Sequence, residues 1–293
     1  MYGLGSLTID DTLRALVEDY LARVMTEVRD RPSPAAGVPR STPEATATEV
    51  FSILTSQAFG YLSRKKAEPY RADAESRIAA DVTVGRPIAF DYDIGPGYHA
   101  SIRPGSLGLD FDVGFAELML IRQVVLFCER VAGVHAPGAR FRLVVDNLCG
   151  LATNDIPLER TTGYVDQMRA LIQTLGVGDR VSLLVESEVN SWEAYRERLD
   201  AEPAVTPATD PSTLQASAIE NVSRFTGRHC TADEAARRID LYRRTGAVTE
   251  DLLEPVIEGV RMTQRASPAT FGFRAFPGGA QRIQVGELGL LRA

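Results

Sequence analysis

Residues 141–150, Phe-Arg-Leu-Val-Val-Asp-Asn-Leu-Cys-Gly, constrain the fold more than any other stretch. The run is short, apolar and rich in β-branched residues, and it lacks strict polar alternation. That pattern fits a strand covered on both faces, as in a mainly parallel sheet. Ligands of such sheets collect outside the carboxyl ends of the strands. This run ends in Asp146-Asn147, so Asp146 is a candidate site residue. The same pair also suits a plain turn, because Asp and Asn hydrogen-bond their own backbone where strands stop.

Two more runs read as strands. Pro87 to Ile94 (PIAFDYDI) leads into Gly95-Pro96-Gly97-Tyr98-His99, and Arg180 to Glu188 (RVSLLVESE) ends in Glu186 and Glu188. A strongly apolar helix over 114–131 and a second over 161–175, with Tyr164, Met168, Leu171 and Ile172 on one side, separate them. Strand, helix, strand, helix, strand at these spacings is the signature of a doubly wound sheet. The expected fold is α/β: a Rossmann-like, mainly parallel sheet flanked by helices over 46–293, with a helical N-terminal arm over 1–45. The arm has a helix at 8–29 and then a Pro/Ser/Ala-rich stretch. Further helices are expected at 43–64, 190–200, 211–226, 231–245 and 250–264. Thr231 and Glu234 form a capping box for the 231–245 helix. Two strands around Pro277-Gly278-Gly279 close the chain.

Charge and residue usage narrow the function. A net charge of −7 argues against general binding to nucleic acid or an anionic membrane, both of which need a cationic face. No apolar run approaches the ~20 residues of a membrane span, and the first residues lack a basic and apolar leader, so a cytoplasmic protein is expected. Cys128, Cys149 and Cys230 are isolated, as are His99, His135 and His229, which gives neither a disulfide framework nor a metal signature. No cofactor is implied. Cys149 reads as a small apolar residue, and Trp192 and Tyr195 read as helix packing. Lys65 and Lys66 are the only lysines, so arginine must do most of any anion binding.

A longer pattern carries a resemblance. Gly85, Pro87, Ile88 and Phe90 match one element, and Pro137, Gly138, Ala139 and Asp146 match another. Tyr164 falls in the helix that follows, and the closing FPGGAQRIQVGEL has a proline-containing turn before a short apolar strand. Over about residues 45–290 the chain resembles the pyoverdine/dityrosine biosynthesis family, which includes isocyanide (isonitrile) synthases. The resemblance implies an enzyme of specialised metabolism acting on the amine of an L-amino acid, or of an amino-acid-derived, carrier-linked substrate. In that family the nitrogen is joined to a carbon from ribulose 5-phosphate. A downstream oxygenase or a carrier protein is the partner it suggests.

Two departures stand out. Tyr98-His99 follow Pro96 where the family has a loop lysine, and Val145-Asp146-Asn147 replace Ser-Asp-Gly. Divergent C–N chemistry without the sugar phosphate is therefore a second version of the same reading. His99, whose ordinary pKa lies near neutrality, is the candidate to replace the lysine in proton transfer beside Asp146. Arg103 offers an anion fork. Asn147, Tyr98, Glu186 and Tyr164 complete the expected substrate contacts. Two competing readings remain: a non-catalytic binding protein on the same fold, and a methyltransferase that binds S-adenosylmethionine at Gly95–Gly97. The second lacks the expected third glycine and immediate helix.

Overall fold

Alternate residues of the central strand face opposite layers, and the two layers differ in chemistry. In the computed structural model, which describes residues 42–56, 59, 68–94, 113, 115–203, 229–263 and 271–272 with isolated positions between 19 and 30, strand β1 spans Ile88–Asp93. It pairs in parallel with β2 (Ala139–Val145) on one side and β4 (Val260–Thr263) on the other. β3 (Val181–Val185) lies outside β2, and the two-residue β5 (Phe271–Gly272) lies outside β4. The sheet is all parallel with order β3-β2-β1-β4-β5. This is the doubly wound order, with its switch point between β1 and β4. The expected α/β class is the observed one.

One layer is apolar. Phe90 of β1 stacks on Phe141 of β2 (centroids 5.2 Å apart), and Phe127 meets both rings edge-on. Phe127 belongs to α3 (Phe115–Ala132), which buries Leu120, Ile121, Val124 and Val131 against the same layer. Offset-stacked and T-shaped contacts of this kind add ~1 kcal/mol each beyond the area buried. Two more helices close the core: α1 (Pro43–Leu54), capped by Thr42, and α2 (Arg71–Thr83). α1 stops at Leu54, short of the expected residue 64, and its C-cap Thr55 leaves the helical conformation (φ −90°, ψ 3°). At the described positions between 19 and 27 the arm is helical. Glu27 pairs there with Arg122 of α3 through two hydrogen bonds of 2.9 and 3.1 Å.

The other layer is mixed. Ala89, Asp91 and Asp93 of β1 point into it, with Arg142 and Val144 of β2 and Arg261 of β4 in register. It is covered by α8 (Ala232–Leu253) and a single 3-10 turn, Glu254–Val256. Four further helices, α4 (Asn147–Asn154), α5 (Leu158–Thr174), α6 (Glu186–Val189) and α7 (Trp192–Ala201), lie between β2 and α8 in the chain.

Two sequence expectations change here. The helix expected over 231–245 continues to Leu253, and Thr231 caps it by accepting from the Glu234 amide at 3.3 Å. The helix expected over 250–264 does not form: Pro255 ends the helical path and the chain becomes β4. The 211–226 helix and the two strands around 277–279 lie outside the described residues.

The join between β1 and β4 rests on Asp91, which is 1% exposed. Its Oδ2 accepts from the backbone amides of Glu258 (3.1 Å) and Gly259 (2.8 Å), and its Oδ1 accepts from Arg142 Nε at 2.6 Å. A carboxylate this buried is tolerable only when its lone pairs are filled in this way. Gly259 runs so close to β1 that a Cβ there would sit 2.0 Å from the Ala89 carbonyl oxygen. Backbone opposes the intruding methyl, so Gly259→Ala should destabilise by about 1–3 kcal/mol, toward the upper end of the overpacking range. Urea unfolding of the variant measures this, and an unchanged midpoint would mean that β4 is not held by this contact.

Candidate active site

The carboxyl ends of the strands collect acidic groups on the mixed layer. β1 ends in Asp93. β2 is followed by Asp146, the next position of that face after Val144. β3 is followed by Glu186, the next after Leu184. Period-two alternation thus brings three carboxyl groups to one face of adjacent strand ends. Arg261 of β4 is the cation beside them, with Nε 3.5 Å from Asp93 Oδ2. The described residues contain no group of His, Cys, Asp and Glu placed to hold a metal ion.

Each carboxyl keeps its proton to unusually high pH. Burial raises Asp93 to about 6 even though Arg261 opposes the shift, and Asp91 adds to it. Burial raises Glu186 to about 7. Asp146 is pushed well above the ordinary carboxylate range, first by burial and then by the charges of Glu186 and Asp93. Asp93 Oδ1 and Glu186 Oε1 are buried with no hydrogen-bond partner among the described residues. Thr249 is close enough to Glu186 to oppose its shift. Buried acceptors of this kind are uncommon, and functional sites are where they gather.

α4 starts directly after β2, so Asp146 is its N-cap residue and not part of an open loop. Asn147 is buried. Its Oδ1 accepts from the Ser187 amide (3.0 Å), and its Nδ2 donates to Ser187 Oγ (2.8 Å) and Thr161 Oγ1 (3.3 Å). Behind the acids, Tyr195 of α7 shares a 2.9 Å hydrogen bond with Thr249 of α8 and stacks on Trp192. The Cys149 thiol is held protonated by burial and by the charges of Asp146 and Glu186, which fits the expectation that it is no nucleophile. Glu188 is a surface residue paired with Arg169 at 2.6 Å.

Of the residues expected from sequence, the structure gathers Asp146, Asn147 and Glu186. Tyr164 is fully buried on the apolar layer, where burial and then Glu117 of α3 raise its hydroxyl pKa. His99, Tyr98 and Arg103 lie outside the described residues. Sequence reasoning passed over Asp93 and Arg261. The strand-end rule that selected Asp146 applies equally to Asp93, whereas Arg261 was hidden by the helical reading of its segment.

A doubly wound parallel sheet with acids at its strand ends defines a Rossmann-like α/β protein. In fold it is similar to a crystallised PvcA protein from Pseudomonas aeruginosa, a pyoverdine/isocyanide synthase family protein, at a TM-score of 0.62. The likeness covers 79% of this chain and 84% of that one at 18% identity. No family model and no curated protein matches the chain.

The raised acids make stability depend on pH in a definite direction. A group whose folded pKa exceeds its unfolded value of ~4 stabilises fully below that value, and the benefit is lost as pH rises through the folded pKa. For Asp93 and Glu186 the loss falls between about 4 and about 7. Glu186→Gln should therefore gain on the parent by about 1–3 kcal/mol between pH 5 and pH 8. Urea titrations at the two pH values read this difference, and parallel curves would mean that Glu186 titrates normally.

Proposed function

We propose that the protein is an isocyanide synthase-like enzyme of specialised metabolism, acting on the amine of an L-amino acid or an amino-acid-derived, carrier-linked substrate. The observation that carries this reading is the set of three carboxyl groups with elevated pKa, beside one arginine, at adjacent strand ends. An ammonium group becomes a nucleophile toward a carbonyl carbon only after giving up a proton. A carboxyl group tuned toward neutrality can take that proton and return it later. A surplus of acids over cations also suits a substrate that arrives as an ammonium ion. The fold likeness to PvcA and the motif resemblance support the same assignment.

In this reading Asp146 is the proton acceptor at the amine, and His99, in the segment following β1, is the second proton-transfer group. Tyr98 and Arg103 of that segment contact the cosubstrate, Arg103 as the fork for a phosphate such as that of ribulose 5-phosphate. Glu186 borders the amine through its unpartnered oxygen. Asn147 fixes the floor of the site through Ser187 and Thr161. Tyr164 lines the far side of the sheet. An oxygenase that consumes the product, or a carrier protein that delivers the substrate, is the partner this chemistry calls for. Among the described residues no helix is long and apolar enough to cross a membrane.

The test is a product search by mass spectrometry, with L-amino acids supplied alone and together with ribulose 5-phosphate. Asp146→Asn should lower turnover by ~10²-fold or more, the usual worth of a positioned proton-transfer group, without lowering the melting temperature. No product with any amine, together with no thermal shift on adding one, would sink the reading. A product formed without the sugar phosphate would select the divergent C–N chemistry.

A further inference from the structure

We propose that Glu186 is a positioning residue: it caps α4 in place of Asp146 and so keeps the Asp146 carboxyl clear of the first-turn amides and available to substrate. An aspartate at an N-cap ordinarily turns its carboxylate onto the amides of the first helical turn. Asp146 makes no such bond, and its backbone (φ −82°, ψ 56°) lies away from the extended conformation of the usual cap. The amides are served from the next strand instead. Glu186 Oε2 accepts from Leu148 N at 3.0 Å and from Cys149 N at 3.1 Å.

The arrangement is reciprocal. While Glu186 holds the start of α4, Asn147 at that start holds the Ser187 amide at 3.0 Å, so the ends of β2 and β3 are clasped twice. The far end of α4 is fixed as well: Arg238 of α8 donates to the Thr153 carbonyl and to Asp155, and Tyr242 donates to Asn154. A helix of eight residues held at both ends presents Asp146 at one place. The groups facing Glu186 are Asp146 and Cys149, Tyr195 of α7, Thr249 of α8, and Arg261 of β4, while Asp93 acts on Asp146. Among them the charge on Glu186 acts directly on Asp146 and disfavours its ionised form.

The structural half of this inference stands alone; its consequence for turnover rests on the amine chemistry proposed above. Carboxyl ¹³C and amide ¹⁵N titrations separate the two. In the unaltered protein the Leu148 and Cys149 amides should follow the Glu186 titration, with a midpoint of about 7. In Glu186→Gln the Asp146 midpoint should fall by about a unit or more as the neighbouring charge disappears. Amides that follow the Asp146 titration would overturn the proposal, as would an Asp146 midpoint that does not move in the variant. The measurement on the unaltered protein decides even where the variant does not fold. With a turnover assay in hand, the acid limb of the kcat profile should move to lower pH in Glu186→Gln. If no amine is turned over, the enzymatic reading fails, while the resonance titrations still decide the cap.

Discussion

Side chains in a strand alternate between layers, so a sheet buried on both sides commits half of each strand to either one. Here one layer receives Phe90, Phe141 and Val181, and α3 covers it with apolar side chains. The other receives Asp91, Asp93, Arg142 and Arg261 on top of an apolar patch formed by Val144, Leu184 and Leu253. Within this layer the polar groups change along the strand direction. Midway, Asp91 is filled by one guanidinium and two amides and acts as a lock. Toward the carboxyl ends, Asp93 and Glu186 keep buried oxygens with no partner among the described residues. Burying an acceptor without a partner costs free energy that packing elsewhere must offset. The acids thus pass from fully bonded midway along the strands to partly bonded at the candidate site.

Much of this was legible in the sequence because the signals were local. β1, β2, β3 and the helix α3 follow from apolar runs bounded by turn residues, and Asp146 follows from its place at a strand end. β4 was not legible. Leu252, Leu253, Val256 and Val260 are spaced like one face of a helix, and a four-residue strand gives too little alternation to compete. Pro255 and Gly259 were the correcting signals: one stops a helix, and the other permits an approach to β1 that no side chain could make. Missing β4 meant missing Arg261 and the switch point. The identity of the residue that caps α4 was beyond local reading, since Glu186 reaches it from 38 residues away.

The likeness to PvcA concerns the scaffold, and at 18% identity the chemistry has to be read from this chain's own residues. The departures then acquire physical meaning. Asn147 stands where the resembled family has glycine, and its side chain takes up the Ser187 amide and hydroxyl that a glycine would leave unbonded. These bonds tie the end of β2 to the end of β3. Tyr98-His99 stand where the resembled family has its loop lysine, and in the proposed function proton transfer falls to histidine and carboxyl groups instead.

The clasp between Asp91 and Gly259 spans 168 residues of sequence. Parallel pairings over such distances form late, because loop closure must precede any reward from contact. Without β4, β1 presents an open flank of amides and carbonyls, and such an edge is a template for strands of other molecules. During synthesis that state lasts until the ribosome has released the segment around residue 260. A chain without β4 is therefore expected to expose the β1 edge to strands of other molecules.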